Sequence, residues 1–297
     1  MLRKLREFEY REPSTLSEAL AILNQYGKEA KVLAGGTDLL VNMKERGWEP
    51  RVLVNLKTVP GLSYIRFDEK EGLRIGALTT VREVETSSLI RETFPCLHEG
   101  AKSLGSVQVR NRATLGGNLC NASPAADNAP PLLVLNARVK LVGAGGERVV
   151  PLEKFFVGPG TTVLDKEVLT EIMVPASSQQ VQGVYLTISR REAVDLAQVG
   201  IAIAARAEDK KTTWRDVRIA LGAVAPTPIR AYETEKLLEG REIQKTVIEE
   251  AIKKSIEEAR PITDLRASEW YRREMVEVLA LRALEQIAGQ IRGRASR

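Results

Sequence analysis

Two pairs of adjacent glycines constrain this chain most, because each pair follows a short strand-like run and precedes small polar residues. We call Ala34-Gly-Gly-Thr-Asp38 the first glycine loop and Thr114-Leu-Gly-Gly-Asn118 the second. Adjacent glycines can adopt positive φ and bring backbone N–H groups close to an anion without a Cβ in the way. Two such loops facing each other would grip a pyrophosphate from both sides, whereas either pair alone is also consistent with a plain tight turn.

Neither loop matches the two common nucleotide fingerprints. No Gly-Lys-Ser/Thr sequence follows them, which excludes a Walker loop, and neither has the Gly-x-Gly-x-x-Gly spacing of a Rossmann turn. If the chain binds a nucleotide, we therefore expect a different fold.

The composition is that of an ordinary globular protein. The chain has 297 residues, of which 43% are apolar, 28% charged and 5% aromatic. At about 150 residues per domain, this length predicts two or three domains. No apolar stretch approaches the roughly 20 residues needed to cross a bilayer, so we expect a soluble protein with no membrane span.

The charges and cysteines exclude several classes of function. The net charge of +5 is spread along the chain without a basic run, which argues against nucleic-acid binding. The two cysteines, Cys96 and Cys120, are too few for an iron-sulfur cluster or a four-cysteine zinc site, so we predict no metal in this chain. The N-terminus lacks the pattern of an export signal, and we expect a cytoplasmic protein.

Pattern changes divide the chain into three predicted domains. Residues 1–57 have the strand and helix signals of a small α/β unit, including a capping box at Thr15-Leu-Ser-Glu18. Residues 58–175 predict an α+β unit with hairpins and a second capping box at Thr80-Val-Arg-Glu83. A polar linker at residues 175–180 precedes three strand-like runs and then helices, so residues 176–297 predict an antiparallel sheet plus helices.

The segment after the second glycine loop stays small and polar for more than ten residues, which is costly to order unless something packs on it. Asn118, Asn121, Ser123 and Asp127 offer donors and acceptors suited to ribityl hydroxyls or a flavin ring edge. Asp127 is alternatively a helix N-cap, and the two roles are compatible.

Side chains elsewhere have structural interpretations. His98 is the only histidine, and we expect a solvated or satisfied side chain rather than part of a catalytic triad. In the last helix the spacing of Trp270, Met275, Val278 and Leu281 predicts core positions, and Arg272 is expected in solvent or at a subunit interface.

The sequence resembles the FAD-binding medium subunit of molybdenum hydroxylases. The glycine loops carry the resemblance, together with the flanking run Gln108–Asn121, Ser123-Pro-Ala-Ala-Asp127, Gly222–Arg230 and the Ala267-Ser-x-x-Tyr-Arg-Arg273 motif. It extends over essentially the whole chain. It implies an α+β fold of the vanillyl-alcohol-oxidase (PCMH) type with a C-terminal flavoprotein domain, and FAD held between the first two domains.

The resemblance also implies which residues contact FAD. The pyrophosphate would be lined by Val32, Leu33, Ala34, Gly35, Gly36, Thr37, Asp38, Leu39, Thr114, Gly116, Gly117 and Asn118. The ribityl chain or ring would contact Ala113, Cys120, Asn121, Ala126 and Asp127, the isoalloxazine would lie near Leu104 and Gly105, and Val168 and Leu169 would border the adenine. Leu186 is also included near the flavin, where many relatives have a lysine.

Departures from the family pattern favour the xanthine-dehydrogenase branch. Leu196 stands where carbon monoxide dehydrogenases have a tyrosine, and Thr37-Asp38 replaces their His-Ser or Gln-Ser. The implied function is electron transfer from iron-sulfur clusters of one partner subunit, through FAD, to NAD or another acceptor. The substrate would be oxidised in a second partner, a subunit carrying the molybdenum cofactor, in an expected dimer of heterotrimers.

Three alternatives stay open at this point. The chain would be the medium subunit of a carbon monoxide dehydrogenase or of another aldehyde or N-heterocycle dehydrogenase, a stand-alone flavin oxidase, or a structural paralogue without FAD. No protein acid or base is required for electron transfer through a flavin, so we predict no catalytic residue in this chain.

Overall fold

A computed structural model describes residues 4–191, 193–208 and 211–295. The ends of the first and third predicted domains therefore lie outside the described residues. Three sheets occupy successive stretches of the chain, and helices pack between and outside them. The mixture is the α+β class that the sequence predicts.

The first stretch is a small parallel sheet with two helices. Its strands have the order β1-β3-β2, and all pairs are parallel. The elements are β1 (Glu9–Arg11), α1 (Leu16–Tyr26), β2 (Ala30–Leu33), α2 (Leu39–Glu45) and β3 (Val52–Asn55). Thr15 accepts a hydrogen bond from the backbone N–H of Glu18, so α1 begins as the capping pattern predicts.

The second stretch contains a five-stranded antiparallel sheet of order β4-β5-β10-β6-β7, covered by six short helices. Its strands are β4 (Ile65–Asp68), β5 (Gly72–Gly76), β6 (Arg138–Gly143), β7 (Gly146–Pro151) and β10 (Val168–Val174); β8 (Phe156–Gly158) and β9 (Thr161–Thr162) form a separate hairpin. Its helices are α3 (Val81–Thr86), α4 (Ser88–Thr93), α5 (Pro95–Ser103), α6 (Val107–Arg110), α7 (Leu115–Cys120) and α8 (Ala129–Val134). The predicted capping box at Thr80 is complete.

The third stretch is a four-stranded antiparallel sheet followed by three helices. Its elements are β11 (Gln182–Ile188), β12 (Val199–Glu208), β13 (Lys211–Gly222), β14 (Ile229–Arg230), α9 (Tyr232–Leu238), α10 (Lys245–Glu258) and α11 (Glu269–Ala295). The order of strands first and helices afterwards is the one predicted for this part of the sequence.

Both faces of the third sheet are buried. The side chains of β12 alternate, with large residues on one face and alanines on the other. Ile201 and Ile203 of β12 pack with the helices α10 and α11, whereas Ala202 and Ala204 face the core of the second stretch. Alanines on that face allow the sheet to approach α8 closely. The second and third stretches therefore share one continuous core, while α1, β2 and β3 build a smaller core of their own.

The last helix buries a different face from the predicted one. Trp270 is 68% exposed and Leu281 is also exposed, so the prediction of core positions for them is wrong. The buried face instead repeats at intervals of three and four residues, through Val276, Leu279, Ala280, Ala283, Leu284, Ile287, Ala288 and Ile291. Arg272 is also corrected: it is only 2% exposed and donates to the carbonyl oxygens of Gln198 and Ala223.

Candidate functional site

The structure brings the two glycine loops into contact, although about eighty residues separate them. A Cβ on Gly35 would lie 2.0 Å from the carbonyl oxygen of Arg112 and 3.0 Å from Cα of Ala113. Across the same junction, the side-chain amide of Asn121 donates to Oδ1 of Asp38 at 3.1 Å. Only glycine permits this approach at position 35, so the first loop lies against the residues on either side of the second. We call the surface at this junction the cleft.

The first glycine loop offers unused backbone donors. It connects β2 to α2, and Gly36 has the positive φ of +77° that the turn requires. Within the described part of the chain, no acceptor takes a hydrogen bond from the backbone N–H groups of residues 35 to 38. Such a run of free N–H groups is suited to an anion.

The second glycine loop differs from the prediction, because its glycines lie in α7 and have no positive φ. The backbone N–H of Leu115 donates to Thr79, that of Gly116 to the carbonyl of Ala77, and that of Gly117 to Oγ1 of Thr114. Their donors are therefore already used inside the protein.

Close packing explains the glycines of α7. A Cβ on Gly116 would lie 2.7 Å from the Ala77 carbonyl oxygen, and one on Gly117 would lie 2.8 Å from Thr114 Oγ1. These residues thus fix the wall of the cleft rather than supply free amides, and the expectation that both loops offer N–H groups is corrected for this one.

Asp127 lies buried beside the cleft, where it links the second and third stretches. Its Oδ1 accepts a hydrogen bond from the Tyr185 hydroxyl at 3.2 Å, and it is 6% exposed. Burial raises the pKa of its carboxyl to about 6, against an ordinary 3.8, and the hydrogen bond from Tyr185 only partly opposes this. The N-cap alternative is wrong, because α8 has Asn128 at its N-cap position and no side-chain cap bond.

Asn128 adds an unsatisfied polar atom to the same region. Its side-chain amide donates to Oδ1 of Asn118 at 3.2 Å, and the residue is completely buried. Its own Oδ1 has no hydrogen-bond partner in the described residues. A buried acceptor of this kind is expected to have a donor when a site is filled. The sequence offered no signal for Asn128 beyond its position after Asp127.

Four further predicted contact residues have small or apolar side chains that pack against the protein. Cys120 lies partly buried on α7, and burial raises the pKa of its thiol to about 12, so it carries no thiolate at neutral pH. Ala126 is buried nearby. Val168 and Leu169 begin β10 and directly precede Thr170, whose carbonyl accepts the N–H of Ala77 behind the second loop.

Leu104 and Gly105 lie at the end of α5, on the rim towards the third stretch. The carbonyl of Gly105 accepts the N–H of Val194, so this rim contacts the loop between β11 and β12. Leu186 does not lie near the other residues predicted to contact FAD. It packs with the helical core of the third stretch, whereas its neighbour Tyr185 points to Asp127. Successive side chains of a strand point to opposite faces, so Tyr185 lies on the face where the resemblance would place Leu186.

Two cations that the predictions omit lie at the first glycine loop. The Nζ of Lys57 donates to the Ala34 carbonyl at 3.1 Å, and Arg112 follows α6 and touches Gly35 through its backbone. Strand register could have revealed Lys57, because Leu33 of β2 pairs with Asn55 of β3 in parallel. Gly35 and Lys57 each follow that pair by two residues at the same edge of the sheet.

Comparison with known proteins decides the family. Residues 6–177 match the model of the FAD binding domain in molybdopterin dehydrogenase, and residues 184–287 match the CO dehydrogenase flavoprotein C-terminal domain. The chain belongs to this family. It is an FAD-binding subunit of the oxidoreductase class, and no group of three potential metal-ligating residues occurs in its described part.

Curated relatives match this FAD-binding subunit over nearly their whole lengths. The medium chain of carbon monoxide dehydrogenase from Hydrogenophaga pseudoflava is 36% identical over 93% of this chain and 96% of that one. The glyceraldehyde dehydrogenase medium chain of Sulfolobus acidocaldarius is 34% identical over 95% and 99%. The xanthine dehydrogenase FAD-binding subunit of Escherichia coli O157:H7 is 29% identical over 96% and 97%.

Solved structures show the same fold. A chain of the H. pseudoflava carbon monoxide dehydrogenase lacking the Mo-pyranopterin moiety of its cofactor superimposes with a TM-score of 0.91 at 35% identity, covering 96% of this FAD-binding subunit and 98% of that chain. Quinoline 2-oxidoreductase from Pseudomonas putida 86 gives 0.90 at 27%, covering 97% and 99%. The α+β FAD-binding fold expected from the resemblance is thereby confirmed. Among the described helices, none is long and apolar enough to span a membrane.

The residues present fit FAD. The cleft has a close main-chain contact that a Cβ on Gly35 would break, a run of free N–H groups suited to a pyrophosphate, and a buried unpartnered acceptor on Asn128. A dinucleotide has a charged diphosphate at its centre and hydrogen-bonding groups on either side of it, and the features of the cleft suit both.

Proposed function

We propose that this chain is the electron-transfer subunit of a heteromeric molybdenum hydroxylase, taking electrons from iron-sulfur clusters of a partner subunit and delivering them to NAD or another acceptor. The observation that carries the proposal is the contact of the two glycine loops at Gly35, with the free N–H groups of residues 35 to 38 beside it. FAD, when bound, supplies the one- and two-electron chemistry.

The protein's own task is to position the cofactor. In this proposal the first glycine loop and Val32, Leu33 and Leu39 line the pyrophosphate on the donor side, and Thr114 with Gly116 to Asn118 forms the opposite wall. Asn121, Ala126 and Asp127 orient the ribityl chain, Leu104 and Gly105 border the isoalloxazine, and Val168 and Leu169 the adenine. We propose Tyr185 in the position that the resemblance assigns to Leu186, because the Tyr185 hydroxyl donates to Asp127.

The partners are proposed from the relatives. We infer an iron-sulfur subunit and a molybdenum-cofactor subunit, arranged as a dimer of heterotrimers, in the cytoplasm. The two cysteines are free, which agrees with a reducing compartment. The xanthine-dehydrogenase branch has no advantage over the carbon monoxide branch, because the relatives quoted above are 29% and 36% identical respectively.

The direct test is flavin binding by the purified full-length chain. Titration of the cofactor-free protein with FAD is expected to quench flavin fluorescence and to saturate at one FAD per chain. A chain that never holds FAD, but still assembles with its partners, would be a structural paralogue and would contradict the proposal. Reduction of the bound flavin by a substrate without any partner subunit would indicate a stand-alone oxidase instead.

Hydrogen exchange gives a second test that resolves the two loops. FAD is expected to slow exchange at the backbone amides of residues 35 to 38, which have no acceptor in the described residues. Amides of residues 115 to 117 are expected to change little, because each already has a protein acceptor. Equal protection of both segments would contradict the assignment of the first loop as the anion donor.

A further inference from the structure

The edge of the first sheet that carries the first glycine loop also carries a positive charge. Lys57 follows β3 and reaches across to the loop, where its Nζ donates to the carbonyl oxygen of Ala34 at 3.1 Å. This hydrogen bond holds the ammonium group one residue away from Gly35. The free N–H groups and the ammonium group therefore lie at the same turn.

A second positive charge belongs to the facing segment. The Arg112 carbonyl oxygen lies where a Cβ of Gly35 would be, so its main chain touches the loop directly. The pKa of Lys57 is lowered, first by partial burial and next by the positive charge of Arg112. Glu12 partly opposes this shift, and its carboxylate accepts the side-chain amide of Asn55.

Neither cation has a carboxylate partner of its own. Within the described ranges, no Asp or Glu oxygen lies within 4.0 Å of the Lys57 ammonium or the Arg112 guanidinium, although many other cations of the chain are paired. Both residues are solvent-exposed, so their positive charges are available to an anion bound at the first glycine loop.

We propose that Lys57 and Arg112 flank the diphosphate bridge of bound FAD and neutralise its two negative charges. The proposal rests on the proposed function and adds two binding residues to it. Backbone N–H groups give only partial charges, whereas a guanidinium and an ammonium give charge-assisted hydrogen bonds to phosphate oxygens. The pair would select a flavin that carries a diphosphate over riboflavin, which carries no phosphate.

The test compares FAD and riboflavin binding by the full-length, cofactor-free chain. Lys57→Gln and Arg112→Gln are each expected to weaken FAD binding about tenfold, and the double variant further, because each removes a charge-assisted contact. Riboflavin affinity is expected to stay within about twofold in all three variants. Lys57→Arg, which keeps the charge, is expected to restore most of the affinity. Lys28→Gln, an exposed lysine of the same stretch, serves as the matched control and is expected to bind like the unmodified chain.

Salt dependence of the unmodified chain gives a measurement independent of any variant. Its FAD affinity is expected to fall as ionic strength rises, and this slope is expected to flatten in the double variant. FAD binding that is equally tight in the double variant, with an unchanged salt slope, would overturn the proposal and leave the proposed function intact. An unmodified chain that does not bind FAD at all would overturn both.

Discussion

Residue 35 is the position where the smallest change has the largest expected effect. Gly35→Ala places a Cβ against the main chain of Arg112, which directly precedes the residues that Thr80 holds through its bridge to Thr114, so this main chain has little room to move. We expect the free energy of unfolding to fall by about 1–3 kcal/mol, the usual cost of overpacking, and FAD affinity to fall at least about tenfold.

Chemical denaturation and a flavin titration measure these two effects. Gly145→Ala is the matched control: its Cβ would meet no atom within 4 Å, and its φ is not positive. The control is expected to change stability by less than about 0.5 kcal/mol. Similar values for the two variants would show that the loops can separate without loss.

Asp127 makes the stability of the cofactor-free chain dependent on pH. Its folded-state pKa of about 6 lies above the ordinary 3.8, so the folded state binds the proton more tightly than the unfolded state. The stabilisation is complete below about pH 4 and is lost as the pH rises through about 6. The difference of about two pKa units corresponds to about 3 kcal/mol at neutral pH.

Asp127→Asn removes this titration and keeps an acceptor for Tyr185. We therefore expect the variant to be more stable than the unmodified chain at pH 7.5, by up to about 3 kcal/mol, and to differ little at pH 4. Urea denaturation at both pH values measures the difference. A gap between the two proteins that does not change with pH would show that Asp127 titrates normally in the folded chain.

Individual residues also show what the sequence could and could not predict. The sequence alone indicates a tight turn or an anion-binding loop at Gly35 and Gly36, because a glycine pair directly follows a strand there. Gly116 and Gly117 look the same in sequence, but Gly116 is small because it packs on Ala77, which follows a distant strand, and Gly117 because it packs on the Thr114 hydroxyl. Lys57 becomes visible only through the register of a parallel sheet, and the alternation of β11 turns Tyr185, rather than Leu186, towards Asp127.

At the scale of elements, α8 depends on the third sheet for its C-terminal end. The last carbonyls of a helix have no partners inside it. Here Arg230 donates to the carbonyl of Leu133, Arg218 to that of Val134, and the Ser178 hydroxyl to that of Leu135. Arg218 is also paired with Asp216 at 2.5 Å and is only 4% exposed. The residues that follow β10 thus complete a helix next to the cleft.

Arg218→Met tests this dependence. The change leaves the buried Val134 carbonyl without its donor, while Asp216 keeps Arg206 as a cation partner, so we expect a loss of about 1–3 kcal/mol in the free energy of unfolding. Arg241→Met is the control, because the Arg241–Glu250 ion pair is solvent-exposed and is expected to contribute at most about 1 kcal/mol. Equal losses in the two variants would contradict a special role for Arg218.

Elements were predicted well where local pattern and packing agree. The hairpins, the Thr80 capping box and the strands-then-helices order of the third stretch follow from alternation and turn residues. The buried face of α11 was wrong because Trp270, the largest apolar residue of its first turn, lies in solvent rather than on the core. The order of the strands within the sheets, such as β10 between β5 and β6, has no local signal in the sequence.

At the scale of the molecule, one surface of the third stretch is unusually apolar. Leu265 is 100% exposed, Ile262 69% and Trp270 68%, all on the segment before α11 and its first turn. Gln198 holds this segment by donating to the carbonyl of Arg266. Exposed apolar groups in this density promote association in water.

We therefore expect the chain purified without partners to self-associate as its concentration rises. The double change Leu265→Ser and Trp270→Ser is expected to lower the apparent mass by at least about twofold in light scattering at high concentration, without changing FAD affinity. Val157→Ser, which alters an exposed apolar residue on the separate β8–β9 hairpin, is the control and is expected to have no effect. A chain that is monomeric at every concentration would contradict this expectation.

The way α8 is completed limits how the molecule can be shortened. Anyone seeking a minimal flavin carrier would be tempted to cut after residue 175, where the family model for the cofactor-binding part nearly ends. Such a fragment would lose both guanidinium groups and the serine that finish the helix, and it would expose to water the α8 face that the alanines of β12 cover. Residues 176–297 are therefore needed to complete the structure around the proposed cofactor site, and truncation is a poor route to a smaller flavoprotein.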